Sequence, residues 1–291
     1  MTASPIHARI REPRPSELPA LRMLLPHACT NPLGRLFLLL FDEAGLSIEG
    51  ALSFRDNGKA LGSIRLEVVP HRRRAGLGTA LLSYAETEGR RLGRQLLIAD
   101  ADILREPAAE PFLDANGFVR TSRMTTVEGL TEVVCADWED VRQRTPPLHH
   151  LSPDARIVGI NEAPLDQLLK MYTEYISESP QLTGMQRVMR LEHYQESSIL
   201  MIGNRVIAAM LSEIRDGVLR VPAWFVAPEY RGQLAGLQVR TGMLNRVEPK
   251  KDQFKTIQFD FLDKAQATAK IAKGMPYETI AVTARFERIL V

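Results

Sequence analysis

Val68-Val69-Pro70-His71-Arg72-Arg73-Arg74-Ala75-Gly76-Leu77-Gly78-Thr79 is the stretch from which the rest of the chain can be read. A run rich in β-branched residues (Ile64–Val69) meets a proline, three arginines and a Gly-x-Gly, and a helical period follows at once. Leu77, Ala80, Leu81, Tyr84, Glu88 and Leu92 fall on one face, and all but Glu88 suit packing. Strand, glycine-bearing turn and helix start are the parts of an anion site. The glycines let successive N–H groups face one point, and the first helical turn leaves its donors unpaired. Arginine adds charge and a bidentate fork suited to phosphate. The residues alone leave two readings: a phosphate-binding loop, or a tight turn with a solvated basic face.

Spacing separates this loop from two better-known ones. A Walker loop needs GxxxxGK[ST], and no lysine follows these glycines; a dinucleotide fingerprint needs a third glycine that Gly76–Leu81 lacks. What Val68, Pro70, Arg73, Gly76 and Gly78 do resemble is the acyl-CoA signature V-x-P-x-x-R-x-x-G-x-G of the GCN5-related N-acetyltransferase (GNAT) superfamily. The resemblance implies an α/β fold with a mixed, mostly antiparallel sheet flanked by helices. It also implies that Val68, Val69, Arg73, Arg74, Ala75, Gly76, Leu77, Gly78 and Thr79 line the pyrophosphate of acetyl-CoA.

The wider composition is that of a soluble globular protein. The chain has 291 residues, 45% of them hydrophobic and 25% charged, enough for one large domain or two ordinary ones. No apolar run approaches the ~18 residues of a membrane span, and MTASPIHARIREP lacks the apolar core of a signal peptide, so a cytoplasmic protein is expected. Cys29 and Cys135 are too few for a disulfide framework and are expected to be reduced. The net charge of +2 is spread evenly over the chain, which argues against nucleic acid as a partner. His149-His150 stand in a polar, proline-bearing linker without a third ligand, so no metal site is expected.

Periodicity gives a strand at 7–12, a helix at 15–27 capped by Ser16, and strands at 36–41, 46–54 and 60–69, the last two joined through Asp56-Asn57-Gly58. A helix at 77–92, a strand at 94–101, a helix at 108–116 stopped by Gly117, and strands near 120–127 and 131–138 complete the first half. A linker at 143–154 follows, and the order then repeats. Strands at 156–160, 198–202, 205–214, 218–226 and 254–261 are interspersed with helices at 164–177, up to Val247, and at 265–273, and the tail 277–290 is strand-like. Pro70 and Pro228 are 158 apart, and Gly117 and Gly274 are 157 apart. This register predicts a tandem duplication of one α/β unit, with an N-terminal domain at 1–145 and a C-terminal domain at 146–291. The alternative is two unrelated domains.

The second copy of the signature has Val226, Pro228, Arg231 and Gly236, but Leu234 stands at the first glycine position. A branched side chain there blocks close approach of backbone to phosphate. The first half is therefore expected to bind acetyl-CoA. The second is expected to be structural, to shape an acceptor pocket, or to mediate a homodimer.

For chemistry, the resemblance implies a glutamate on the strand before the loop as base, and Glu67 stands there; Phe225 is its counterpart in the second half. Burial in the apolar run would raise the Glu67 pKa toward a base's working range, whereas a half-exposed glutamate would pair with a neighbouring arginine. The family's thiolate-protonating tyrosine is missing: Leu113 and Lys270 hold the matching positions, and Tyr84 reads as core. Met171, Tyr172, Tyr175 and Trp224 read either as core or as an acceptor lining. The expected activity is acetyl transfer from acetyl-CoA to a primary amine of a small molecule or peptide by direct attack. The alternative is a non-catalytic acyl-CoA-binding or interaction protein.

Overall fold

The computed structural model describes residues 9–29, 35–56, 61–178, 194–262 and 277–290. The chain divides into two compact units: Met1–Thr121 with Ala284–Val291, and Ser122–Thr283.

The N-terminal unit begins with β1 (Ile10–Arg11), one 3-10 turn, α1 (Leu18–Leu24) and α2 (Pro26–Cys29). The capping serine expected at 16 is replaced by Glu17, whose carboxylate reaches back to the Arg14 N–H at 2.7 Å. Leu25 leaves the helical region ahead of Pro26, which divides the predicted helix in two. β2 (Arg35–Phe41), β3 (Ile48–Asp56) and β4 (Leu61–Val68) pair antiparallel in sequence, and α3 (Leu77–Arg91) crosses over to β5 (Leu96–Asp102), parallel to β4. α4 (Ala109–Ala115) ends at Gly117, whose φ of +75° suits glycine at a helix stop. Strand alternation assigns the faces. Leu38, Leu40, Leu52, Phe54, Ile64 and Val68 pack with α3, whereas Leu39, Phe41 and Ala51 pack with α1 and α2.

The C-terminal unit repeats this order. β6 (Val119–Leu130), most of which belongs to this unit, leads into α5 (Thr131–Arg144), β7 (Ala155–Val158) and α6 (Leu165–Glu178). β8 (Ser198–Ile202), β9 (Arg205–Arg215) and β10 (Val218–Val226) follow, then α7 (Ala235–Val247), β11 (Thr256–Leu262) and β12 (Glu278–Ile289). β7 to β10 pair antiparallel in sequence, and α7 crosses to β11, parallel to β10. One topology occurs twice. The last residues of β12, from Ala284, belong to the N-terminal unit, where Arg285 grips Asp100 with two bonds of 2.8 and 2.9 Å.

Two expectations need correction. The predicted strand at 131–138 is helix α5: Val134, Trp138 and Val141, at helical spacing, are buried in one cluster with Leu219, Val239 and Ile257. That burial draws α5 into the C-terminal unit, which begins at Ser122. The linker expected from 143 narrows accordingly, since α5 runs to Arg144 and one 3-10 turn occupies Leu148–His150. The helix predicted at 265–273, with Lys270 and Gly274, the turn residues Asn57 and Gly58, and the side chains of Tyr172, Tyr175 and Cys135 lie outside the described residues.

Candidate active site

β4 is held by β3 up to the Gly50–Val68 pair, and the Val69 N–H then donates to the Glu49 carbonyl at 3.0 Å. Pro70 fixes its own φ and opens one 3-10 turn, closed by Arg72 N–H to Val69 O at 3.0 Å and Arg73 N–H to Pro70 O at 3.3 Å. The chain then passes through two left-handed residues, Arg74 at φ +67° and Gly76 at φ +77°. Gly76 is the N-cap of α3, whose first ladder bond runs from Ala80 N–H to Gly76 O at 3.1 Å. The N–H groups of Leu77, Gly78 and Thr79 precede that bond, as an anion site at a helix start requires.

The two glycines serve different ends. A Cβ on Gly76 would meet no atom within 4 Å, so its requirement is backbone conformation, with open space above it. A Cβ on Gly78 would come 3.0 Å from the Phe112 ring, so its requirement is close packing of α4 on α3. An open, left-handed glycine beneath N–H donors that have no partner among the described residues fits the pyrophosphate expected here.

The three arginines also differ. Arg72 pairs with the buried carboxylate of Glu49 at 2.6 Å, and Arg9 approaches the same group at 3.8 Å. Arg73 donates to the Val68 carbonyl at 3.2 Å, to Glu67 at 2.7 Å and to Glu106 at 3.2 Å, pinning the loop to β4. Its hydrogen bond to Glu67 is the first cause raising its pKa. Arg74 makes no ion pair among the described residues, so it carries the uncompensated charge at the loop. Glu49 escaped the sequence reading, although a carboxylate inside the apolar strand Ile48–Phe54 was a signal that it needed a partner.

β4 and β5 stay paired only to Ile64–Ala99, yet β4 runs on to Val68 and β5 to Asp102. Backbone on that side of Arg65–Val68 is therefore freed from β5. Glu67 stands on this stretch, half-exposed and bonded to Arg73, which is the second of its two readings. Leu113, at the family's tyrosine position, is buried in the core of α3, and Tyr84 packs against the same cluster. Val68 and Leu77 anchor the two ends of the loop in that core, with Val69, Ala75 and Thr79 between or beside them.

The second loop follows the first up to its last turn. Ala227 repeats the backbone of Val69 at φ −55°, ψ 139°, and its N–H donates to Ile207 O at 2.8 Å. Arg231 Nε donates to Val226 O at 3.0 Å, as Arg73 Nε does to Val68 O. Gly232 is left-handed at φ +76°, matching Arg74. The copies part at the N-cap, where Leu234 is right-handed at φ −68° in place of left-handed Gly76. Trp224 lies against the first turn of α7, with its ring carbon 3.7 Å from a Cβ built on Gly236. The Trp224 indole nitrogen is buried and has no hydrogen-bond partner among the described residues. Met171 is core, packed with Ile160 and Leu168.

No protein-family model matches the sequence, and no curated protein matches it. Solved structures do match the fold. A GCN5-related N-acetyltransferase from Sphaerobacter thermophilus, 13% identical, superposes with a TM-score of 0.66 over 97% of this chain and 95% of its own. A tandem GNAT protein from the clavulanic acid biosynthesis pathway, 15% identical, gives 0.58 over 88% and 83%. The glucosamine N-acetyltransferase region of a fungal multi-domain β-N-acetylglucosaminidase, 14% identical, gives 0.67 over 96% of this chain and 38% of that one. With one strand order occurring twice and a matching loop in each copy, the chain is built on the tandem fold of the GCN5-related N-acetyltransferases.

Proposed function

We propose that the protein transfers an acetyl group from acetyl-CoA to a primary amine, and that the N-terminal unit does so. The observation that carries this reading is the left-handed Gly76 opening α3 beside the gap between β4 and β5. Gly76–Thr79 would hold the pyrophosphate by backbone N–H groups, with Arg74 supplying charge and Arg73 holding the loop in shape. Acetyl-CoA, when bound, supplies an activated thioester. Glu67, directly or through water, takes the proton the amine must lose, and Arg73 orients that carboxylate. Backbone N–H groups of β4 beyond Ile64 meet the charge that develops on the acyl oxygen. Leu113 offers no proton, so the departing thiolate is protonated by solvent.

The test is acceptor-dependent release of CoA. Glu67→Gln is expected to leave acetyl-CoA affinity intact and to lower the rate by roughly 10²-fold, the range of general-base removal, with a smaller loss at high pH where more amine arrives unprotonated. A second reading, acyl-CoA binding without turnover, is favoured by Leu113 and by the engagement of Glu67 with Arg73. It predicts acetyl-CoA binding with no CoA release on any amine. Absence of acetyl-CoA binding at millimolar concentration sinks both readings. Among the described residues no helix is long and apolar enough to cross a membrane.

A further inference from the structure

The face of the N-terminal sheet that bears Glu67 also bears arginines that the loop does not use. Alternation puts Arg35 on β2, Ser53 and Arg55 on β3, and Ser63, Arg65 and Glu67 on β4 on one side. Arg35 sits directly opposite Arg55, and Ser53 directly opposite Arg65. Like charges facing one another across strands are destabilising, and here three guanidinium groups gather. Arg35 donates to Ser53 Oγ at 3.2 Å; burial first, then Arg55 and Arg65, push its pKa down. The acids nearby are already engaged: Glu67 by Arg73, Glu49 by Arg72, Asp100 by Arg285 and Asp56 by Arg94. Arg55 and Arg65 make no ion pair among the described residues, and residues 1–8, 30–34 and 57–60 contain no Asp or Glu.

This face is polarised. Carboxylates stand at the loop end and arginines at the other, with Arg65 only two residues from Glu67, about 7 Å along a strand. We propose that the acceptor is a small primary amine that also carries an anion, a carboxylate or a phosphate, held by Arg55 and Arg65 while its amine lies at Glu67. The proposal rests on the acetyltransferase reading and names its substrate class. A bound anion removes the repulsion among the three guanidinium groups and accepts their bidentate donors.

The experiment uses the full chain and matched acceptors: β-alanine against β-alaninamide, and phosphoethanolamine against ethanolamine. CoA release is expected to favour the anionic member of at least one pair by about tenfold or more in kcat/KM, the scale of a lost charged hydrogen bond. The favoured pair tells carboxylate from phosphate. The same anionic amine is expected to bind in calorimetry, more weakly at high salt. Arg55→Gln with Arg65→Gln is expected to remove both preference and binding, and Arg55→Lys with Arg65→Lys to retain part of each. Acetyl-CoA is titrated alongside. Turnover of neutral amines with no anionic preference, or a preference untouched by the glutamine substitutions, overturns this inference and spares the acetyltransferase reading. β-Alanine or phosphoethanolamine bound through Arg55 and Arg65 in a chain that binds no acetyl-CoA overturns the acetyltransferase reading, and the acceptor role with it.

Discussion

Loop 68–79 and loop 226–237 share a proline-initiated turn, an arginine folded back onto the strand carbonyl, and a left-handed residue immediately after it. They differ in how the helix begins. Gly76 turns left-handed and leaves open space above the first N–H groups, whereas Leu234 continues right-handed into α7. The lesson is that the turn and the anion site are separable. Strand, proline and arginine recur in both turns, and on the proposed function the N-cap glycine is what presents the helix start to a ligand.

The comparison can be pressed hardest at the arginines. Arg73→Ala removes three anchors of its loop; each is worth about 1–2 kcal/mol, less for partly exposed partners. Acetyl-CoA affinity is expected to fall by more than about tenfold in calorimetry, and Arg231→Ala to leave it unchanged. Equal losses from the two substitutions would break the distinction between the copies.

Next comes Gly76→Ala. A Cβ at φ +77° costs roughly 1–2 kcal/mol and enters the open space above the loop, so affinity should drop about tenfold. Gly76→Asn, which tolerates that conformation better, should lose less. Gly78→Ala acts through the Phe112 ring instead, so a compensating Phe112→Leu should recover part of its lost thermal stability. That recovery sharpens the division between a conformational glycine and a packing one.

The smallest expected effect lies in the second loop. Gly232→Ala strains a left-handed residue and should lower stability by about 1 kcal/mol in urea unfolding, with no change in acetyl-CoA affinity.

How much of this was legible in the sequence follows from what each signal encodes. The signature and its repeat were enough to place the turn, the crossover helix and the difference at Leu234, because proline fixes φ and glycine permits the left-handed region wherever they stand. α5 was misread because Val133 and Val134 favour strands in isolation, and only the placement of Trp138 and Val141 against the C-terminal core decides for helix. The pairing of Glu67 with Arg73 was one of two readings, and the choice depended on where the loop returns. The arginine face was invisible, since Arg35, Arg55 and Arg65 come together only through strand register. Register is a tertiary property, and single-chain periodicity does not specify it.

The central claim, that one loop is an acyl-donor site and its copy is not, is tested most directly by calorimetric titration of acetyl-CoA into the full chain and into Gly76→Ala and Gly236→Ala. A Cβ on Gly236 meets only ordinary contacts with Val226 and Trp224 at 3.6 and 3.7 Å, so that variant should fold unchanged. One site per chain, weakened by Gly76→Ala and unaltered by Gly236→Ala, is the predicted result. Two sites, or a single site lost in a folded Gly236→Ala and untouched in Gly76→Ala, would contradict it.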